Sequence, residues 1–129
     1  MKIIATKVAP SVIGPYSQAV QVGEMLYTSG QIALTPEGKM LDDDIHAQTE
    51  QVLKNLLAVL EDAGTTFSNV IKTTIYLTDM DDFIAVNTVY AKYFSDHKPA
   101  RSTVAVNTLP KNAMVEIDCI ATVPNYDFG

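Results

Sequence analysis

The sequence predicts an α+β fold in which two helices pack on one face of a mixed β-sheet. Three observations point to this class. The opening third is rich in strand-forming residues, two amphipathic helical segments follow it, and each helical segment precedes a run of β-branched residues. The predicted order of elements is therefore ββ(β)αβαββ, carried by one domain that comprises residues 1–129.

The first strands are predicted on either side of a short turn at Gly23. Residues 17–22 and 25–34 are strand-like and flank this turn, as in a hairpin. A polar stretch around Gly30 interrupts the second strand. Glycine inside a strand often marks a bulge or a close approach of the backbone to a ligand. Ser29 and Gly30 are therefore candidates for ligand contact, and a plain bulge is the alternative.

The first helix is predicted to begin at Asp43 or Asp44 and to end near Ala63. Aspartate is a favourable N-cap, and Gly64 stands where a left-handed C-cap belongs. The three adjacent aspartates at 42–44 are interpreted as favourable charge at a helix start rather than as a metal site, because their side chains point in different directions. Apolar residues recur at three- and four-residue steps, which predicts one buried face. They are Ile45, Val52, Leu53, Leu56, Leu60 and Ala63.

The second half of the chain is predicted to contain a strand, a helix and two further strands. Residues 70–78 are rich in β-branched side chains, and a second helix begins within 79–82 and ends before Pro99. Residues 101–106 and 114–123 are the last two strands. Because the two helices cover only one face of the sheet, apolar side chains on the other face need another partner. Association of subunits is the simplest one.

Charge and composition argue against several classes of function. The formal net charge is −6 and the eight lysines are dispersed, whereas nucleic-acid binding draws on clustered Lys and Arg. No apolar run approaches the roughly 20 residues of a membrane span. The first residues lack the apolar core of a signal peptide. One cysteine cannot form an internal disulfide. A cytoplasmic protein that binds neither nucleic acid nor membrane is expected.

The remaining histidines and the cysteine do not predict a metal site or a nucleophile. His46 and His97 have no ligand-like spacing to each other or to Cys119, so no metal is expected. Both histidines are interpreted as residues on helix surfaces. Cys119 lies among apolar neighbours and is interpreted as a small buried side chain. The sequence also contains no glycine-rich phosphate loop and no nucleophile elbow.

A single arginine, Arg101, stands at the head of a predicted strand. Its planar fork of donors matches a carboxylate or a phosphate, although position alone favours a surface role or a structural salt bridge. On the apolar stripe of the second helix, Asn87 is expected to be buried and to orient a neighbouring loop, with ligand contact as a second interpretation.

Two acidic residues share one face of the last strand. Glu116 and Asp118 alternate with apolar residues, and a cover on their face would require pairing or a raised pKa, which suits acid–base catalysis. Strand parity leaves open whether Glu116 reaches Arg101 within one chain or across a subunit boundary.

Five spaced motifs resemble the RidA/YjgF/YER057c/UK114 family over essentially the whole chain. The resemblance implies a chorismate-mutase-like (YjgF-like) fold and a homotrimer that forms a barrel, with ligand clefts between adjacent subunits. The motifs are Gly14-Pro15-Tyr16-Ser17-Gln18-Ala19, Thr28-Ser29-Gly30-Gln31, Asn87-Thr88-Val89-Tyr90, Pro99-Ala100-Arg101-Ser102 and Val115-Glu116-Ile117-Asp118.

The resemblance also implies a function. Archetypal members deaminate reactive 2-imino and enamine acids, such as 2-iminobutanoate and 2-iminopropanoate, which pyridoxal-phosphate-dependent threonine and serine dehydratases release. By this resemblance Arg101 binds the substrate carboxylate and Glu116 handles the water. Four further residues line or support the site: Tyr16, Ser29, Gly30 and Asn87. Hydrolysis of an imine needs no cofactor.

One position departs from the family pattern. Archetypal members carry cysteine two residues after the arginine, where this chain has Thr103. Backbone contacts to a substrate survive this change, whereas any role of the thiol does not. Two alternative functions remain: a non-catalytic trimer that binds 2-keto acids or other small carboxylates as a regulatory protein, and a chaperone-like or RNA-directed role, of which the acidic balance disfavours RNA. The binding protein needs Arg101 but has no need of Glu116.

Overall fold

The computed structural model describes residues 1–41 and 44–124 and has the predicted α+β architecture. The strands are β1 (Lys2–Ile4), β2 (Ala19–Val22), β3 (Met25–Thr28), β4 (Val70–Leu77), β5 (Ala100–Ala105) and β6 (Val115–Thr122). The helices are α1 (Ile45–Asp62) and α2 (Phe83–Tyr93). The six strands form one mixed sheet in the order β1-β2-β3-β6-β4-β5, in which β4 and β5 run parallel and the other neighbours run antiparallel.

The hairpin between β2 and β3 confirms the turn predicted at Gly23, which has a φ of +58° that glycine adopts without strain. The predicted strand 25–34 is wrong beyond Thr28. The regular pairing with β6 stops there, where the Cys119 N–H donates to the side-chain hydroxyl of Thr28 rather than to a backbone carbonyl. The chain returns to β6 in a single bridge between Gln31 and Ile117.

Helix α1 begins and ends as the sequence predicts. Asp44 is its N-cap, and its carboxylate accepts a hydrogen bond of 2.8 Å from the His46 N–H. Asp42 and Asp43 lie outside the described residues. At the other end Gly64 has a φ of +88°, which is the left-handed conformation expected after a helix C-terminus. The predicted apolar face is largely buried, and residues such as Leu53 and Leu60 have no exposed surface.

The two faces of the sheet differ in what covers them. The helix-covered face of β6 carries buried residues: Val115, Ile117, Cys119 and Ala121. Glu116 and Asp118 alternate with these residues and therefore lie on the other face. That second face carries no helix in the described part of the chain and has exposed apolar side chains, among them Tyr27 and Val104. The core thus lies on one side of the sheet, and the opposite face is uncovered.

The segment between β4 and β5 sets the position of the arginine. Asp79 caps a short 3-10 turn (Met80–Asp82), which leads into α2. Helix α2 forms the crossover between the parallel strands and contacts α1 on the covered face. The chain then enters β5 at Ala100, so Arg101 is the second residue of an edge strand.

Candidate functional site

Arg101 projects onto the helix-covered face, against α2. It is opposite Thr73 in the β4–β5 pairing, and Thr73 is buried beneath the helices. Its guanidinium carbon lies 5.5 Å from the ring centre of Phe83 and 5.0 Å from that of Tyr90. Its Nη1 donates a 2.7 Å hydrogen bond to the Asn87 Oδ1. One turn-spaced stripe of α2 therefore holds the guanidinium by two cation–π contacts and one hydrogen bond.

Two open clefts flank the guanidinium. One, of about 460 Å³, is lined by α2 and by the loop that precedes β5, including Asn87, Lys98 and Pro99. The other, of about 590 Å³, is lined by Met80, Phe83, Ile84 and Thr103. No carboxylate pairs with Arg101 among residues 1–41 and 44–124. The exposed guanidinium, with one protein acceptor, retains donors for a planar anion.

Thr103 shares the second of these clefts with Arg101. Its Oγ1 is buried and has no hydrogen-bond partner within the described residues. A buried hydroxyl without a partner costs free energy unless a ligand or a water satisfies it. The threonine that replaces the expected cysteine thus places an unused donor and acceptor beside the arginine.

Glu116 occupies a different place, on the uncovered face and against Gly30. A Cβ built on Gly30 would lie 2.7 Å from the Glu116 Cδ, closer than real side chains approach one another. Glycine at position 30 therefore leaves room for the Glu116 carboxyl group. Three residues lie between Tyr27 and Gln31, whereas two lie between their partners on β6, Ile120 and Ile117, so the segment contains a bulge. Ligand contact at Gly30 stays a prediction.

Tyr16 and Gly30 line a third cleft, of about 260 Å³, together with residues of the N-terminal segment and Lys111. Ser29 lies beside this cleft, and its hydroxyl donates a 2.6 Å hydrogen bond to the Ser17 carbonyl. The backbone N–H of Ser29 also donates a hydrogen bond, to the Gln18 carbonyl. Ser29 thus fixes the Tyr16 segment against the turn at Gly30.

Both carboxyl groups on the uncovered face have raised pKa values. Burial raises the pKa of Glu116, and the charge of Asp118 adds to the rise. Burial likewise raises the pKa of Asp118, while the hydroxyl of Tyr76 and the charge of Lys72 act in the opposite direction. Glu116 therefore retains a proton to higher pH than an exposed glutamate, a property that suits a proton carrier.

The sheet separates the two groups of predicted site residues within one chain. Arg101, Asn87 and Thr103 lie together on the helix side of edge strand β5. Glu116 lies on the opposite face of β6, with Gly30 against it. We call these groups the arginine half-site and the glutamate half-site, the latter including Tyr16 and Ser29. The geometry answers the question of parity, since Glu116 does not face Arg101 within one chain.

Expectations about two side chains, Asn87 and His97, are wrong in detail, and the one about Cys119 is confirmed. Asn87 is exposed rather than buried, and it orients Arg101 rather than a loop. His97 follows α2 instead of lying on it, and its Nε2 is 2.5 Å from the Val70 carbonyl oxygen. Cys119 is buried as predicted, and burial raises the pKa of its thiol to about 12, which makes it unreactive near neutral pH.

Sequence reasoning missed the residues that support each half-site. Phe83 and Tyr90 belong to the predicted apolar stripe, and nothing in that pattern distinguishes a core ring from one that stacks on a guanidinium. The buried amide of Asn55 donates to the carbonyls of Ile32 and Leu34, just after the turn at Gly30. A buried amide on an otherwise apolar helix face is the one signal that could have identified Asn55.

The described residues contain no group of three or more His, Cys, Asp or Glu side chains able to hold a metal ion. None of the helices in the structure is long and apolar enough to span a membrane.

Comparisons with known proteins agree with the fold. The family model described as endoribonuclease L-PSP matches residues 6–123. Reactive intermediate deaminase A, chloroplastic, from Arabidopsis thaliana is 48% identical over 123 residues, which cover 95% of this chain and 66% of the plant protein. The 2-iminobutanoate/2-iminopropanoate deaminase of Mus musculus is 47% identical over 121 residues, 93% of this chain and 90% of the mouse protein.

Solved structures give the same picture. YyfA from Yersinia pestis, described as a member of the conserved Rid protein family, superposes with a TM-score of 0.93 at 52% identity and covers 95% of this chain and 98% of its own. TdcF from E. coli with bound serine superposes with a TM-score of 0.90 at 41% identity, over 95% of this chain and 98% of TdcF. Both solved structures therefore share the topology of the described residues.

Proposed function

The chain belongs to the Rid family, which the endoribonuclease L-PSP model describes, and we propose that it is a deaminase that hydrolyses 2-iminobutanoate and 2-iminopropanoate to 2-keto acids and ammonia. One relative, at 48% identity, is named reactive intermediate deaminase A, and another, at 47%, is named 2-iminobutanoate/2-iminopropanoate deaminase. The single observation that carries the proposal is the presence of an exposed arginine with free donors beside open clefts and of a half-buried glutamate with a raised pKa.

Arg101 is proposed to bind the carboxylate of the imino acid through two parallel hydrogen bonds. The rings of Phe83 and Tyr90 and the amide of Asn87 keep the guanidinium in one orientation, so little side-chain entropy is lost on binding. The 2.7 Å bond to Asn87 uses one N–H of the fork and leaves the others for the ligand. Thr103 lines one of the clefts beside Arg101, and its buried Oγ1 has no hydrogen-bond partner among the described residues.

The complete site is proposed to form between subunits of a homotrimer. Since the sheet separates Arg101 from Glu116 in one chain, a second copy has to supply the missing half. A head-to-tail arrangement that closes into a ring gives each interface one arginine half-site and one glutamate half-site. Such a ring would also bury the uncovered sheet face, with its apolar residues such as Tyr27 and Val104, in a central barrel.

The chemistry is proposed to be an acid–base hydrolysis without a cofactor. The Glu116 carboxyl group gives its proton to the imine nitrogen and, now ionised, accepts a proton from the attacking water. The water oxygen adds to the former imine carbon, which gives a carbinolamine. Glu116 then gives this proton to the amine, the C–N bond breaks and ammonia leaves. As the ketone forms, the carbinolamine O–H gives its proton to the Glu116 carboxylate, which restores the protonated glutamate. An imine and water thus give a 2-keto acid and ammonia.

A coupled assay tests this function. A pyridoxal-phosphate-dependent threonine dehydratase, proposed to be the kind of enzyme that supplies the substrate, is incubated with threonine and an amine that traps free imine. The protein is expected to increase the rate of 2-ketobutyrate release at the expense of the trapped product. Equal rates with and without the protein would overturn the deaminase proposal.

The non-catalytic binding protein is the second candidate, and the accessibility of Arg101 in a single chain is the observation that favours it. Calorimetry with 2-ketobutyrate separates the two candidates. A binding protein would bind the keto acid and fail the coupled assay, and the Glu116→Gln variant would bind as tightly as the wild type. A deaminase passes the coupled assay and loses activity in the same variant.

Subunit mixing tests the location of the site. Arg101→Ala is expected to retain at most about a tenth of the wild-type activity and Glu116→Ala still less. When equal amounts are unfolded and reassembled together, about a quarter of the interfaces in a random ring combine an intact arginine half-site with an intact glutamate half-site. Recovery of about a quarter of the wild-type activity supports a site shared between subunits. No recovery in mixed assemblies of confirmed trimeric mass would contradict it.

A further inference from the structure

A tyrosine connects the two carboxyl groups on the uncovered face. Tyr76 lies on β4 directly opposite Glu116 in the antiparallel pairing, yet its hydroxyl reaches along the strand and donates a 3.2 Å hydrogen bond to Asp118 Oδ2. The residue directly opposite Asp118 is Thr74. The Tyr76 hydroxyl therefore donates to Asp118 and not to Glu116, although Glu116 is the residue directly opposite Tyr76.

Three elements contribute to the surroundings of Glu116, and two of them, β6 and β4, carry titratable groups. Strand β6 contributes Asp118, and β4 contributes Tyr76 and, further along, Lys72. The segment at Gly30, packed directly against Glu116, contributes no charge. In the proposed trimer, Arg101 of a neighbouring copy also approaches Glu116 and favours its ionised form.

The two carboxyl groups therefore experience unequal surroundings. The Tyr76 hydroxyl and the Lys72 charge both favour ionised Asp118. Glu116 has no corresponding donor among the described residues, and the charge of Asp118 two residues away raises its pKa. When two neighbouring carboxyl groups cannot both ionise easily, the one with the hydrogen-bond donor takes the negative charge and the other keeps the proton.

We propose that Tyr76 and Asp118 are positioning residues that place the proton of this carboxyl pair on Glu116. The proposal deepens the proposed function, because a protonated Glu116 is the form that can give a proton to an imine nitrogen. Its use in catalysis rests on that function, whereas the location of the proton is a property of the resting protein.

Carbon NMR of the assembled protein tests the location of the proton. The side-chain carboxyl carbons of Glu and Asp are labelled with 13C, and the signals of Glu116 and Asp118 are identified by their loss in Glu116→Gln and Asp118→Asn. Glu116 is expected to titrate at higher pH than Asp118. Titration of Asp118 above Glu116 in the wild type would overturn the proposal.

Two variants separate positioning from a purely structural role. In Tyr76→Phe, Asp118 loses its donor, so its titration is expected to move up by about one pH unit and that of Glu116 to move down. In Asp118→Asn the titration of Glu116 is expected to fall. Arg101 is unchanged in both variants, so the difference from wild type isolates the two substitutions. A Glu116 titration unmoved in Asp118→Asn would overturn the proposal even if Tyr76→Phe failed to fold.

Tyr27→Phe is the matched control, since Tyr27 is a tyrosine on the same face whose hydroxyl makes no hydrogen bond to either carboxyl group in the described structure. It is expected to leave both titrations unchanged, and equal shifts in Tyr27→Phe and Tyr76→Phe would contradict the specific role of Tyr76. All these measurements use protein without substrate. A failed coupled assay with the expected titrations would overturn the deaminase function alone.

In an active enzyme, the inference also predicts the pH dependence of kcat/KM. The limb that reports loss of the Glu116 proton is expected to move to lower pH in Asp118→Asn, because the pKa of Glu116 falls when the neighbouring negative charge is removed. A profile that keeps its shape and only loses amplitude would contradict the inference and indicate a structural effect.

Discussion

The arginine half-site and the glutamate half-site treat charge in opposite ways. Arg101 is exposed, and the rings of α2 and Asn87 fix the orientation of its guanidinium. Glu116 is half-buried, and burial and the charge of Asp118 raise its pKa. We propose that the first half-site binds a permanent anion and that the second carries a transferable proton.

The separation of the two half-sites by the sheet has an electrostatic consequence within one chain. If a guanidinium stood directly beside Glu116 in a single chain, the pair would form an ion pair that lowers the pKa of the glutamate and occupies the arginine. Opposite faces of one sheet prevent this before assembly. In the proposed trimer, α2 would hold one half-site, Gly30 would leave room for the other, and a second copy would bring the two together.

The largest effect is expected for Glu116→Gln. The amide keeps the shape of the side chain but cannot carry the proton, so kcat is expected to fall by roughly 10²–10⁴-fold with a much smaller change in KM. Steady-state kinetics in the coupled assay provide the measurement. Glu24→Gln, at the exposed hairpin turn, is the matched control and is expected to behave as wild type. A rise in KM with kcat unchanged would mean that Glu116 acts in substrate binding rather than in proton transfer. That result would remove the contrast between the half-sites.

Arg101→Ala is expected to act on the other side of the contrast. Loss of charge-assisted hydrogen bonds to the carboxylate, worth about 1.5–3 kcal/mol, predicts a fall in kcat/KM of roughly tenfold to a hundredfold. Arg101→Lys should recover only part of it, because a point charge cannot form two parallel bonds. The measurement includes Lys39→Ala, an exposed turn residue, as control. Full activity of Arg101→Lys would show that charge alone is recognised.

The sequence could predict the elements better than their faces. Asp44, the apolar steps of α1 and Gly64 define a helix locally, which is why its bounds were predictable. The face of Arg101 depends on its register opposite Thr73 on β4, and the face of Glu116 depends on its alternation with the buried core. Neither register is encoded in a local pattern, so the separation of the half-sites could not be predicted.

Short or interrupted strands were the other failures. Strand β1, Lys2–Ile4, has three residues and too little alternation to recognise. The predicted strand at 25–34 included Gly30, where the backbone leaves the ladder and Glu116 takes the space of a side chain. The role of Tyr76 could not be predicted either. Its hydrogen bond to Asp118 runs diagonally between two strands and joins residues that are 42 positions apart in sequence.

Gly30→Ala tests the glutamate half-site without changing Glu116 itself. The three atoms nearest to the added methyl group all belong to the flexible side chain of Glu116, so the fold should persist while Glu116 is displaced. A fall in kcat of about tenfold is expected with KM changed less. The double variant Gly30→Ala/Glu116→Gln should be no slower than Glu116→Gln alone if the methyl group acts through Glu116. Additive losses would assign Gly30 a separate role, and thermal unfolding checks the fold of each variant.

The smallest effect is expected at Asn87, and the choice of substitution determines what it reveals. Asn87→Ala removes one exposed hydrogen bond from Arg101 but leaves the two rings, so a rise in KM of about three- to tenfold is expected. Asn87→Asp keeps the shape and the acceptor but adds a negative charge that competes with the substrate carboxylate. If Asn87 orients a guanidinium that must stay electrically unpaired, the aspartate should weaken binding more than the alanine does. The reverse order, measured as KM in the coupled assay, would mean that the rigidity of Arg101 matters more than its free charge.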